Sequence, residues 1–436
     1  MISRVFNALA NLPLRWQRRT AGRYRPEVDG LRFFAIAIVV VGHMTERIAK
    51  LDHRPRSGFS ESLVHFFSNP GLGVLLFFAV SGFILTSQYL NQSLSPISPA
   101  FLSKYFRRRL LRIEPPYFIL LVATYLLITL SHTVPAGTNR FNLPPASLTT
   151  SLFASIFYTH GWLFGTDPKL FPPGWSLEVE VQFYLLAPLF FFLVFAIRSR
   201  AVRTSAGFLL LLSHGLVHVP RESDFPVGSA PHLYFTLLRW IPYFWLGILA
   251  ADYRPLVEKH SVRPWLGSVV GWSGTAILVC GSLYGAYFNQ LQLMCVVATA
   301  ILMMFFGCFT PGSGYKAFLA KPWTATVGGA CYSVYLTHLP VVQATAVLVL
   351  KLHFLHSFTS AVLSTLAIGL PLVLCVSLTF YVWIERFFML PDWPAVLRNA
   401  VASRLRGTPS PFRQKIELFK PANAQLEVES SPAGEP

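Results

Sequence analysis

The sequence predicts an all-α polytopic membrane protein on three observations. Just over half of the 436 residues are apolar (53%) and only 13% are charged. Apolar runs of bilayer-spanning length recur along nearly the whole chain. No series of alternating apolar and polar residues suggests the strands of a closed barrel. Because backbone amides facing lipid must be satisfied within their own segment, the apolar runs are read as helices.

Ten spans are predicted, near 31–48, 70–90, 114–132, 175–197, 204–220, 233–252, 265–283, 290–310, 324–350 and 359–385. The first carries a histidine inside its apolar run, and the third follows an arginine-rich stretch. The fourth opens on two glutamates, and the ninth is dense in hydroxyls. An eleventh apolar piece, 147–165, is interrupted by Tyr158, Thr159, His160 and Gly161 and is followed by Asp167 and Pro168. It reads as a short interfacial or re-entrant helix, since counting it as a crossing would invert everything after it.

The net charge of +17 would suit a nucleic-acid partner, but the basic residues are placed otherwise. With ten spans and a cytoplasmic N-terminus, 27 of the 36 Lys and Arg fall on the inner side and 8 on the outer, with Arg239 inside a span. That asymmetry predicts cytoplasmic N- and C-termini. It explains the charge without nucleic acid, through lipid and a cytoplasmic surface.

Residues 1–24 hold Phe6, Leu9, Leu12 and Trp16 among arginines, and lack the apolar core and cleavage site of a secretory signal. They read as a cytoplasmic amphipathic, basic segment. Residues 25–390 form the membrane domain. Residues 391–436 read as a cytoplasmic polar tail, partly disordered, closing on "LEVESSPAGEP". All five cysteines fall in predicted spans without paired spacing, so neither a disulfide framework nor a metal site is expected. No internal repeat divides the spans into equivalent halves.

Function is sought in the polar residues placed where lipid should be, because intramembrane ionisable groups are costly. Arg32 and His43 lie eleven residues apart, three helical turns or roughly 16 Å on one face, with Asp29 close to the same stripe. The alternative for His43 is a packing bond to a neighbouring carbonyl, and for Arg32 alone a positive-inside anchor. In "RRRLLRIEPPYF", Arg109 and Arg112 share one side of a turn before Pro115 and Pro116 bend or restart the helix. They suit a lipid anchor or a bidentate phosphate clamp equally. "PPGWSLEVEVQFYLLAP" carries Glu178, Glu180 and Gln182, with Glu180 and Tyr184 on one face. A carboxylate facing the bundle there could orient a histidine or an acceptor hydroxyl. "CYSVYLTHLP" holds Tyr332, Ser333, Tyr335, Thr337 and His338, a density of hydroxyls that also occurs in plain helix packing. Glu385 and Arg386 read as a snorkelling pair at the inner end of the tenth span.

Taken together these blocks resemble the acyltransferase-3 integral-membrane acyltransferases. "RPEVDGLRFFAIAIVVVGHM" resembles that family's opening signature, an arginine and a histidine flanking ten residues, here Arg32 and His43. "GVLLFFAVSGFIL", "RRRLLRIEPPY", "GWSLEVEVQFYLLAP" and "CYSVYLTHLP" are similar to its later blocks, in the same order, over residues 25 to about 390. Leu75 and Phe387 depart from the pattern, standing where a polar residue and a proline are common. The chain looks like the stand-alone form, without the periplasmic hydrolase-like domain of some relatives.

The resemblance implies an O-acyltransferase of the bacterial inner membrane. It would move an acyl group, acetyl first of all, from acyl-coenzyme A (acetyl-CoA) to a hydroxyl of a cell-surface glycan or lipid-linked sugar. It implies His43 as general base or acyl relay, Arg32 as its partner toward the thioester, and Glu180 as the acidic catalytic position. Arg109 and Arg112, with Arg32, would meet the coenzyme, a co-substrate and not a tightly held cofactor. Asp29, Trp175, Ser176, Tyr332, Ser333 and His338 complete the expected substrate-binding set. The competing reading is a proton-coupled secondary transporter, in which the buried His and Glu relay protons. The sequence fixes neither acceptor nor oligomeric state.

Overall fold

The computed structural model describes residues 13, 16, 24–56, 58–92, 95, 97–131, 146–216, 232–260, 262–284, 290–352, 357–390 and 393–405. Among these the chain is all helix, with no strand. Nine segments are long and apolar enough to cross a membrane, so the protein is an all-α polytopic membrane protein. Of the amphipathic stretch 1–24, only Pro13, Trp16 and Tyr24 are described. The tail beyond Leu405 lies outside the described residues.

In order, the helices are α1 (Pro26–Leu51), α2 (Gly58–Phe67), α3 (Pro70–Leu90), α4 (Pro99–Ser131), α5 (Leu148–Ile156), α6 (His160–Phe164), α7 (Gly174–Ala196) and α8 (Arg200–Leu216). They continue as α9 (Leu237–Lys259), α10 (Pro264–Tyr284), α11 (Gln290–Phe309), α12 (Gly314–Leu319), α13 (Pro322–Gly329), α14 (Cys331–Leu350), α15 (Phe358–Phe380) and α16 (Trp393–Leu405). Proline opens α1, α3 and α13, where its missing N–H costs nothing.

The structure agrees with the non-crossing reading of 147–165 and departs from the predicted spans at two places. The 147–165 piece is two short helices, α5 of 9 residues and α6 of 5, neither able to cross. The 204–220 span appears as α8, 17 residues ending at Leu216 where the described residues stop. The ninth span is broken at Ala330 into α13 and α14. Finally, α4 does not restart at Pro115 and Pro116 but runs through both for 33 residues. The carbonyl that Pro115 leaves without its amide, Leu111 O, accepts instead from the Trp393 indole N–H at 2.9 Å.

Apolar side chains on α4 and α7, such as Leu127, Leu130, Leu185 and Leu193, remain outward-facing, as a lipid-facing surface requires. Inside, small residues bring backbones together, since without a hydrophobic drive between helices close packing must hold them. A methyl on Gly247 of α9 would lie 1.9 Å from Ala79 O of α3. One on Gly328 of α13 would lie 1.7 Å from Asp29 O of α1. These contacts press α1, α3, α9 and α13 together and leave a polar cavity beside them.

Candidate active site

A cavity of about 110 Å³ opens between α1, α3, α4, α7 and the α13–α14 break. Its wall carries three guanidiniums, Arg32, Arg109 and Arg112, and one carboxylate, Glu180, with hydroxyls from Ser81, Ser176, Tyr184, Tyr332 and Tyr335. Residues chosen from four distant stretches of sequence thus converge. The rest of the wall is aliphatic or aromatic, largely from α3.

Arg32, Arg109 and Glu180 are each held by hydrogen bonds. Arg32 donates to Asp29 Oδ1 at 2.8 Å, and Asp29 is buried behind it. Arg109 donates to Gln88 Oε1 at 2.8 Å and stacks 5.3 Å over the Tyr184 ring. Arg112 lies within electrostatic reach of Arg32, Arg109 and Glu385. Glu180 accepts from Ser81 Oγ at 2.8 Å and from the Tyr184 hydroxyl. The Ser176 and Tyr335 hydroxyls lie 2.9 Å apart beside Pro173 O at the start of α7; Tyr335 donates to that carbonyl, and Ser176 donates either to it or to the Tyr335 oxygen. Tyr332 donates to Ile113 O at 2.8 Å, tying α14 to the arginine turn of α4.

His43 is not on this wall. Its side chain is 18% exposed, its Nδ1 faces Glu46 Oε2 at 3.3 Å, and its ring lies 5.3 Å from that of His338. His338 is fully buried, with Nδ1 at 2.7 Å from Tyr335 O and 3.1 Å from Val334 O. Carbonyls only accept, so Nδ1 carries the proton and Nε2 is a bare lone pair, which has no hydrogen-bond partner among the described residues. The Tyr335 ring lines the cavity and lies 6.1 Å from that of His338. Arg32 lies on the cavity wall and His43 does not. The two share a helix, but α3 packs along that same face of α1, where a methyl on Gly73 would meet Ala35 O at 2.4 Å.

The remaining predicted residues are placed as follows. Trp175 packs in an aromatic cluster with Tyr234, Phe235 and Trp240, away from the cavity. Ser333 donates through both its backbone N–H (3.1 Å) and its hydroxyl (2.5 Å) to Glu385 Oε2. That corrects the snorkelling reading of Glu385, which is fully buried on a π-helical turn, Tyr381–Glu385, and answers the Ser333 amide in the first turn of α14. Glu178 does not reach the cavity either: it accepts from the amides of His160 (3.2 Å) and Gly161 (2.8 Å), pinning the start of α6. Burial beside it pushes the His160 imidazole down to about 4. Glu46 and Gln88 were missed in the sequence. The i,i+3 spacing from His43 was a usable signal for Glu46, and none existed for Gln88.

A family model described as an acyltransferase domain, of the acyltransferase-3 type, matches residues 25–382. The O-acetyltransferase OatA of Staphylococcus aureus is 26% identical over 351 residues, 75% of this chain and 52% of the relative. The peptidoglycan O-acetyltransferase OatA of Listeria monocytogenes is 25% identical over 361 residues, 75% and 51% of the two chains. The acyltransferase MdmB of Streptomyces mycarofaciens is 24% identical over 344 residues, 73% and 79%. The chain spans about half the length of the OatA relatives. No solved structure matches it. With the family model covering the helices that build the cavity, from Arg25 through the last membrane helix, the chain belongs to the acyltransferase-3 family.

Proposed function

We propose that the protein is an O-acyltransferase of the bacterial inner membrane, with cytoplasmic termini, carrying acetyl from acetyl-coenzyme A to a hydroxyl of a cell-surface glycan or lipid-linked sugar. The observation that carries this is the gathering of Arg32, Arg109 and Arg112 on one cavity wall opposite apolar side chains of α3. Permanently charged guanidiniums suit the phosphates of a coenzyme and the oxygen of its thioester, and the apolar wall suits a pantetheine arm. The resident groups therefore fit the donor.

In the reaction, the acceptor hydroxyl gives its proton to His43 Nε2 as its oxygen bonds to the thioester carbonyl carbon. Negative charge on the carbonyl oxygen is met by a guanidinium of the cavity, Arg32 being the nearest to His43 in the chain. The C–S bond then breaks, and the thiolate recovers the proton from the imidazolium to leave as coenzyme A. Glu180, held by Ser81 and Tyr184, offers an acceptor for a second sugar hydroxyl. For His43 and the cavity to act on one substrate, the Tyr335–His338 contact has to be where donor and acceptor meet.

The test is mass spectrometry of the glycans and lipid-linked sugars of cells with and without the protein. Loss of one acetyl mass from a surface sugar is expected, and unchanged masses would overturn the reading. With labelled acetyl-coenzyme A, the purified His43→Ala protein should transfer nothing while still inserting. Arg109→Ala and Arg112→Ala should each weaken coenzyme A binding by roughly 10-fold or more, the worth of a charge-assisted hydrogen bond.

A further inference from the structure

Resting on that reading of His43 as the base, we propose that Glu46 is a positioning residue, holding the His43 ring in the tautomer that presents Nε2 to the acceptor hydroxyl. The carboxylate oxygen Oε2 lies 3.3 Å from Nδ1, one helical turn further along α1. An ionised carboxylate can only accept, so the proton between them belongs to Nδ1 and the lone pair to Nε2. Among the described residues, His338 of α14 lies 5.3 Å from the ring, and Arg47 lies within electrostatic reach of Glu46. His338 cannot do the same work: its own Nδ1–H is committed to Tyr335 O and Val334 O, and it offers His43 no negative charge. Among the described residues, Glu46 is thus the one group in contact with His43 that both fixes the tautomer and stabilises the imidazolium formed when the hydroxyl proton is taken. The side chain is 32% exposed, so packing does not demand a carboxylate there.

The test uses membrane vesicles from cells producing the full chain, which carry their own acceptor, and follows thiol release from acetyl-coenzyme A against pH. His43→Ala vesicles give the background. Glu46→Leu should lower kcat by roughly 10- to 100-fold, a fraction of what a general base contributes, with KM for acetyl-coenzyme A unchanged. Its acid limb should move to lower pH, because an imidazolium without its counter-charge gives up the proton more readily. Glu46→Asp should recover part of the rate and of the shift. Histidine-labelled 15N spectra of the purified protein, assigned with His43→Ala, should report the Nδ1–H tautomer in the wild type and its loss in Glu46→Leu. An unmoved acid limb together with an unchanged tautomer would overturn the proposal while leaving the acyltransferase reading standing. Wild-type vesicles no better than the His43→Ala background would overturn both.

Discussion

Glu180 is the only carboxylate on a wall that carries three guanidiniums, among the described residues. Its charge therefore opposes two requirements: it repels an anionic coenzyme, and it can orient an acceptor hydroxyl. Glu180→Gln keeps the shape and an acceptor for Ser81 but removes the charge. Coenzyme A should then bind more tightly while turnover falls, a split readable from titration of the detergent-purified protein beside its transfer rate. Weaker binding with unchanged turnover would place Glu180 outside the site. The face shared by Glu180 and Tyr184 was legible from their spacing of four, and so was the arginine pair. What spacing could not give was the separation of His43 from the arginines. Arg32 and His43 do lie on one helix, yet whether space joins them depends on α3 and α14, whose contacts with α1 run through Gly73 and through His338 far along the chain.

At the scale of elements, α4 keeps Arg109 and Arg112 in place despite two prolines one turn later. A helix crossing Pro115 loses the bond to Leu111 O, and the Trp393 indole supplies a donor from 282 residues away. Trp393→Phe retains the aromatic contacts with Phe387 and Phe388 but leaves that carbonyl unpaired, a loss of about 1 kcal/mol. Hydrogen exchange of the amides around residues 109–117 should quicken, and coenzyme A affinity should fall with it. Exchange as slow as wild type would mean α4 needs no such support. Hydropathy located the spans because length and apolarity are local properties. It could not show the break at Ala330, since the Ser333 amide freed there is answered by Glu385 from the last membrane segment, a partner only the folded bundle supplies.

For the whole molecule, α8 decides the topology. The described residues hold nine crossing candidates, and an odd number would put the two termini on opposite sides. Counting α8 as a tenth restores a common side and the bias of 27 inner against 8 outer basic residues. The ends of α8 fit that role. Arg203 is buried against Asp252 at 2.7 Å beside Arg200, forming a charged knot where α8 meets the end of α9. Such a knot suits a water-facing surface, and the proposed cytoplasmic termini place the N-terminal end of α8 on the inner side. From there the helix runs apolar through Leu209, Leu210 and Leu211 toward the 217–231 connection. The connection should therefore lie outside. In a variant with its five cysteines replaced, a cysteine at Ser223 should react with a membrane-impermeant maleimide added to intact cells, whereas one at Ser199 should react only after permeabilisation. Labelling of Ser199 from outside would invert the bundle and set the arginine cavity facing away from the cytoplasmic coenzyme pool, a placement incompatible with acetyl-coenzyme A as donor.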